Sequence, residues 1–276
     1  MPSTWLFHSY KGGTGKTIIS LNVSLELATH GNKVVLFDFD FLGPSLYTIF
    51  ENPKQCFLNG SFYGPEELQD SLIEVGHIEG VSPGSLRVGL ANPEPVEINR
   101  LARLDKHQHR ESFSKILRSQ ETLYDENVDF VIIDSGPGFR MDTANAFMIS
   151  DVAGFILKTT ESDIKGTERV LKSFLGAFAS EKLQGLILNR VVHLEAKPWK
   201  AIEEDHQVST GRNIFVEKTR ELAERYNVPI FAEVPCLCDI GRGDLPNSVI
   251  VTKYHNHPFA ESIRSIIDAM KGGVDQ

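Results

Sequence analysis

The sequence predicts an α/β fold, a mostly parallel, doubly wound central sheet with helices on both faces, and three observations carry that expectation. Apolar runs of strand length alternate with amphipathic stretches of helix length from one end of the chain to the other. Several of those runs, such as "VVLF" and "FVII", are apolar at every position, as strands covered on both faces must be. Both then reach an aspartate, which sets acids at the carboxyl end of a parallel sheet, where ligands of such folds sit.

The elements follow in order. "TWLFHS" (4–9) is a β-prone run that ends in glycines, and "TIISLNVSLELATHG" has helical spacing with Gly31 as its stop. "KVVLFDFD" follows as a buried strand and completes a βαβ unit by residue 40. Further strands are predicted at 85–93, 128–138, 152–160, 183–191 and 228–235, with helices over 110–124, 141–149, 163–180, 213–226 and 258–271. Residues 52–84 and 192–212 carry no clear period and read as surface excursions from a single domain spanning 1–276.

Composition narrows the function. At 276 residues and 41% apolar content the chain can bury a large core. A formal charge of −9, from 28 basic and 37 acidic residues, excludes a surface given over wholly to nucleic acid or anionic membrane. Three cysteines are too few for a disulfide framework, and the start "MPSTWLFHSY" lacks a basic segment leading into an apolar one. No window approaches the roughly 18 consecutive apolar residues of a membrane span. The expectation is a soluble, cytoplasmic protein.

"FHSYKGGTGKTIIS" (7–20) carries the chemistry. A glycine-rich turn between strand and helix gathers backbone N–H groups and the positive end of a helix around one point, which grips polyphosphate. Read against the general loop G-x-x-x-x-G-K-[ST], Lys16 sits on the β- and γ-phosphates of ATP and the Thr17 hydroxyl on Mg²⁺. Gly12, Gly13, Thr14, Gly15 and Ile18 complete the cradle, and Tyr10 replaces the pattern's first glycine. Asp38 and Asp40 end the second strand on one side of it, and Asp134 ends "FVIID" in the form of a Walker B strand.

With Lys11 in front, "KGGTGKT" resembles the deviant Walker A motif of the MinD, ParA and Mrp superfamily of P-loop ATPases. "DFDFLGPSL" resembles that family's switch I, and "DSGPG" its switch II, with Gly136 where a first proline is common. The resemblance covers almost the full chain. It implies an ATPase that forms a homodimer around Mg-ATP, with Lys11 reaching the partner's phosphates. In it Asp40 orients the hydrolytic water, Asp134 supports the metal with Thr17, Asp38 supports the metal or the lysines of the loop, and Gly138 senses the γ-phosphate. Asn189, with Arg190 beside it, Pro235 and, through its backbone, Leu237 line the adenine.

Three outputs follow from such a switch. One is spatial positioning or partitioning of a cellular assembly, through a protein activator or cargo. Another is carriage of a metal or iron–sulfur cluster by Cys236 and Cys238, whose C-x-C spacing is equally that of buried apolar cysteines. The last is a nucleotide-bound scaffold without hydrolysis, against which Lys11, Lys16, Asp40 and Asp134 all speak. The terminal helix, with one arginine before Lys271 and an acidic tail behind it, argues against direct membrane binding. The basic stretch 99–119 is either a docking face, DNA included, or a solvated helix.

Overall fold

Trp5, Leu6 and Phe7 have no exposed surface, because the strand that carries them, β1 (Ser3–His8), runs through the middle of the sheet. The computed structural model describes residues 1–53, 55–76, 78, 80–82, 84–177, 182–191, 214–236 and 249–272. After β1 come α1 (Lys16–Thr29), β2 (Val34–Phe39), α2 (Leu58–Tyr63), α3 (Leu68–Ser71), β3 (Leu72–Glu74) and β4 (Leu86–Gly89). The middle of the chain supplies α4 (Pro95–Leu101), α5 (Lys106–Asp125), β5 (Phe130–Ser135), α6 (Met141–Ile149) and β6 (Val152–Lys158). The described remainder holds α7 (Glu161–Ala177), β7 (Leu183–Val191), α8 (Ile214–Tyr226), β8 (Ile230–Pro235) and α9 (Pro258–Lys271).

The strands form one eight-stranded sheet in the order β3-β4-β2-β5-β1-β6-β7-β8, parallel except for β3 against β4. From β1 the chain passes to β2 on one side, while β6 flanks β1 on the other. The carboxyl end of β1 is therefore a point where the winding reverses, the position at which open α/β sheets bind ligands. Alternation along the strands splits the core in two. Trp5, Phe7, Leu36 and Ile132 pack with α1 and α9 on one face, while Leu6, Phe37, Ile133 and Phe155 pack with α2 and α5–α8 on the other. Each fully buried side chain of this size contributes about 1.5–3 kcal/mol.

Two differences from the sequence expectation have clear causes. Residues 52–84 fold as α2, α3 and the antiparallel edge strand β3, and they are more than an excursion. Phe62 of α2 packs edge-on against Phe37 with ring centres 5.8 Å apart, and Leu58, Leu68 and Leu72 are buried with it. A six-residue helix is too short to display a 3.6-residue period, which is why the sequence conceals it. α5 begins at Lys106, ahead of 110, because Asp105 and Gln108 form a reciprocal capping box. Residues 192–212 lie outside the described residues.

Candidate functional site

β1 ends at His8 and the phosphate loop begins, turning into α1 at Lys16. Gly15, at φ 97°, occupies the left-handed region, and a Cβ there would lie 2.3 Å from the Asn189 amide nitrogen. Both facts require glycine. Lys16 is only 7% exposed and Thr14 is buried, while Lys11, Gly12 and Gly13 stand open to solvent. The loop thus brings together one sheltered cation, a row of accessible amides and one exposed cation. Lys11 Nζ donates to Ser162 Oγ of α7 at 3.0 Å, an exposed bond worth about 1 kcal/mol or less.

Asp38 on β2 and Asp134 on β5 are direct partners across the parallel pair, so their carboxylates stand side by side on the α1 face. Their partners differ. Asp38 accepts N–H bonds from Asp40 (3.1 Å), Ser45 (3.3 Å) and Leu46 (3.3 Å), which folds switch I around it. Asp134 is 1% exposed, and neither of its oxygens meets a donor within hydrogen-bonding limits among the described residues. Burial pushes its carboxyl up to about 6, against the pull of the Lys16 charge and the nearby Thr17 hydroxyl. Burial and the Asp134 charge also raise Asp38, and burial raises Asp40, eased by Lys16. An orphaned buried carboxylate beside a threonine hydroxyl is the oxygen donor set that a hard divalent cation takes, so these residues fit Mg²⁺.

Asp40 is half-buried just beyond β2, and its Oδ1 accepts the Gly43 N–H at 3.1 Å. Thr17 and Ser45 hydroxyls lie 3.0 Å apart and tie the phosphate loop to switch I. The Gly138 N–H donates to the Ser9 carbonyl at 3.0 Å, so in this state switch II is latched to the start of the loop. Asn189 uses both ends of its carboxamide, donating to the Thr14 carbonyl (2.7 Å) and accepting from its neighbour Arg190 N–H (2.8 Å). Here it props the phosphate loop. Arg190, at φ 59°, bulges between Asn189 and Val191, and Pro235 ends β8 opposite Val191. Leu237 and Cys238 lie outside the described residues; Cys236 is exposed at the same end of the sheet as the phosphate loop.

Sequence reasoning passed over Ser45, Ser162 and His8. Ser45 stood within the switch I string, whereas nothing local marks Ser162 as the partner of Lys11. His8 is fully buried, its Nδ1 lies 2.8 Å from Ser135 Oγ, and its pKa is lowered to about 3 by burial and then by Lys16. A neutral ring therefore sits beneath switch II.

A profile of the ParA family, described as the NUBPL iron-transfer P-loop NTPase, matches residues 3–271. The chain belongs to this family. It is 27% identical over 229 residues to the iron-sulfur cluster carrier protein of Haemophilus influenzae, covering 82% of this chain and 54% of that one. Over 269 residues it is 24% identical to the iron-sulfur cluster carrier protein of Saccharolobus solfataricus, covering 94% and 80%. Its fold matches MinD of Pyrococcus horikoshii, solved with Mg-ADP, at a TM-score of 0.70 and 18% identity over 100% and 99% of the chains. The ATP complex of Cyanothece McdA matches at 0.73 and 14%, over 98% and 96%. The protein is a MinD/ParA-like member of the P-loop NTPases, and among its described residues no helix is long and apolar enough to cross a membrane.

Proposed function

We propose that this chain is an ATP-hydrolysing switch that closes into a homodimer around two molecules of Mg-ATP. The observation that carries the reading is Lys16, a nearly buried cation at the mouth of an open amide-lined loop, facing a set of carboxylates with raised pKa values. In this reading Lys16 binds the β- and γ-phosphates. Lys11 exchanges its weak bond to Ser162 for the partner's phosphates, where a charge-assisted contact is roughly twice as strong as a neutral one. Asp40, held by the Gly43 N–H, orients the attacking water. Thr17 and Asp134 would hold the Mg²⁺, which when bound offsets phosphate charge as the bond breaks. Asn189, Arg190, Pro235 and Leu237 form the adenine side. The test is turnover of ATP by the wild-type chain against Lys16→Ala and Asp40→Ala; wild-type activity no higher than that of either variant rejects hydrolysis.

For the output of the switch, cluster carriage has two supports: the iron-transfer family description and an exposed Cys236 beside the nucleotide end of the sheet. Spatial positioning has the likeness of fold alone. Two C-x-C pairs, one from each subunit of a homodimer, would supply four thiolates, a set that suits an iron–sulfur cluster. Iron content of protein purified without oxygen, compared with Cys236→Ser, decides this: equal iron in the two ends the carrier reading.

A further inference from the structure

Position 136 is glycine where the resembling family commonly has proline, and the structure sets it against Asp40. A Cβ at Gly136 would lie 2.9 Å from Asp40 Oδ1, 3.3 Å from its Cγ and 3.6 Å from its Cα. The first of these is closer than side chains tolerate. The backbone at 136 is not in the left-handed region, so alanine is permitted there by φ. Glycine matters here because of what touches it.

A side chain at 136 must displace something, and the surroundings decide what. Retreat of the backbone is blocked, since Ser135 is fully buried, pairs with Phe39 of β2, and is held by His8 Nδ1 (2.8 Å) and the Phe7 carbonyl (3.0 Å). On the other side the nearest atom is the tip of the Asp40 side chain, with its Cα at 3.6 Å, and the carboxylate is fastened by the Gly43 N–H, which the Asp40 backbone carbonyl shares at 3.1 Å. The carboxylate is the part that yields.

We propose that Gly136 is a positioning residue for Asp40: its bare Cα seats the carboxylate against switch II, so a side chain there detaches Asp40 from Gly43 and leaves the sheet and phosphate loop intact. The consequence for turnover rests on reading Asp40 as the group that orients water, whereas the contact itself does not depend on that reading.

The test is Gly136→Ala in the full chain, followed by thermal melting, amide hydrogen exchange at Gly43 without nucleotide, ATP affinity and turnover. Melting stays at or above that of wild type, and Gly43 exchanges severalfold faster. ATP affinity stays within about twofold, and turnover falls by about tenfold to a hundredfold, the size expected for a misplaced catalytic group. In an Asp40→Ala background the same substitution leaves Gly43 exchange unchanged. Failure to fold, wild-type exchange at Gly43, or a further rise in exchange in the Asp40→Ala background each overturns the proposal. A wild-type chain that hydrolyses no ATP defeats the ATPase reading, while the exchange measurements still decide the contact.

Discussion

The two faces of the sheet differ at the rows where β1, β2 and β5 end. On the α1 face stand Asp38 and Asp134, paired in register, with Lys16 above them. One residue further on, the opposite face carries Phe39, Ser135 and a neutral His8, packed against Phe155 and Phe174. The first face keeps charge under strain: its carboxylates are desolvated, and among the described residues Asp134 meets no donor within hydrogen-bonding limits. The second is neutral and anchored by hydrogen bonds. Under the proposed function Mg-ATP would complete the charged face, while the hydrogen bonds of the neutral face hold the start of switch II.

That contrast can be broken from either side. The largest effect belongs to Asp40→Ala, which lowers turnover by about 10²–10⁴ while ATP still binds, as measured by phosphate release and isothermal titration. Lys16→Ala weakens ATP binding by about a hundredfold or more in the same titration, since it removes the charge-assisted bonds to the phosphates.

Removing the orphan charge has the opposite sign. The folded carboxyl of Asp134 lies at about 6, above its ordinary 3.8, so the native chain binds more protons than the unfolded one between these values. Its cost is therefore full above about pH 6 and vanishes as pH falls towards 4. Asp134→Asn stabilises the nucleotide-free, metal-free protein at pH 7 by on the order of 2 kcal/mol in urea unfolding, and the gain shrinks on acidification. Affinity for Mg²⁺ is lost with it.

On the neutral face the effect is smaller. His8 is held at about 3, below its ordinary 6.5, so the unfolded chain takes up the proton first and wild-type stability falls as pH drops from 6.5 towards 3. His8→Gln costs about 1 kcal/mol at pH 7 through the altered bond to Ser135, and this deficit narrows at pH 5 because the variant escapes the acid loss. ATP affinity stays within a few-fold.

Much of this was legible in the sequence, for reasons that differ by residue. β2 and β5 announced themselves because strands buried on both faces are apolar throughout, and their terminal acids stood out against that background. The phosphate loop was readable because glycines and lysines at fixed spacing serve one purpose. α2 was concealed by its length, and the link of Lys11 to Ser162 by a separation of 151 residues. The contrast between Asp38 and Asp134 was equally hidden, since which acid is saturated by backbone N–H groups depends on how switch I turns, and a period-two pattern is silent on turns.

The proposed sandwich of two subunits is tested most directly by light scattering coupled to size exclusion on Asp40→Ala with saturating Mg-ATP. Asp40→Ala runs as a dimer and reverts to monomer when Lys11→Ala is added. An Asp40→Ala protein that binds ATP and remains monomeric contradicts it.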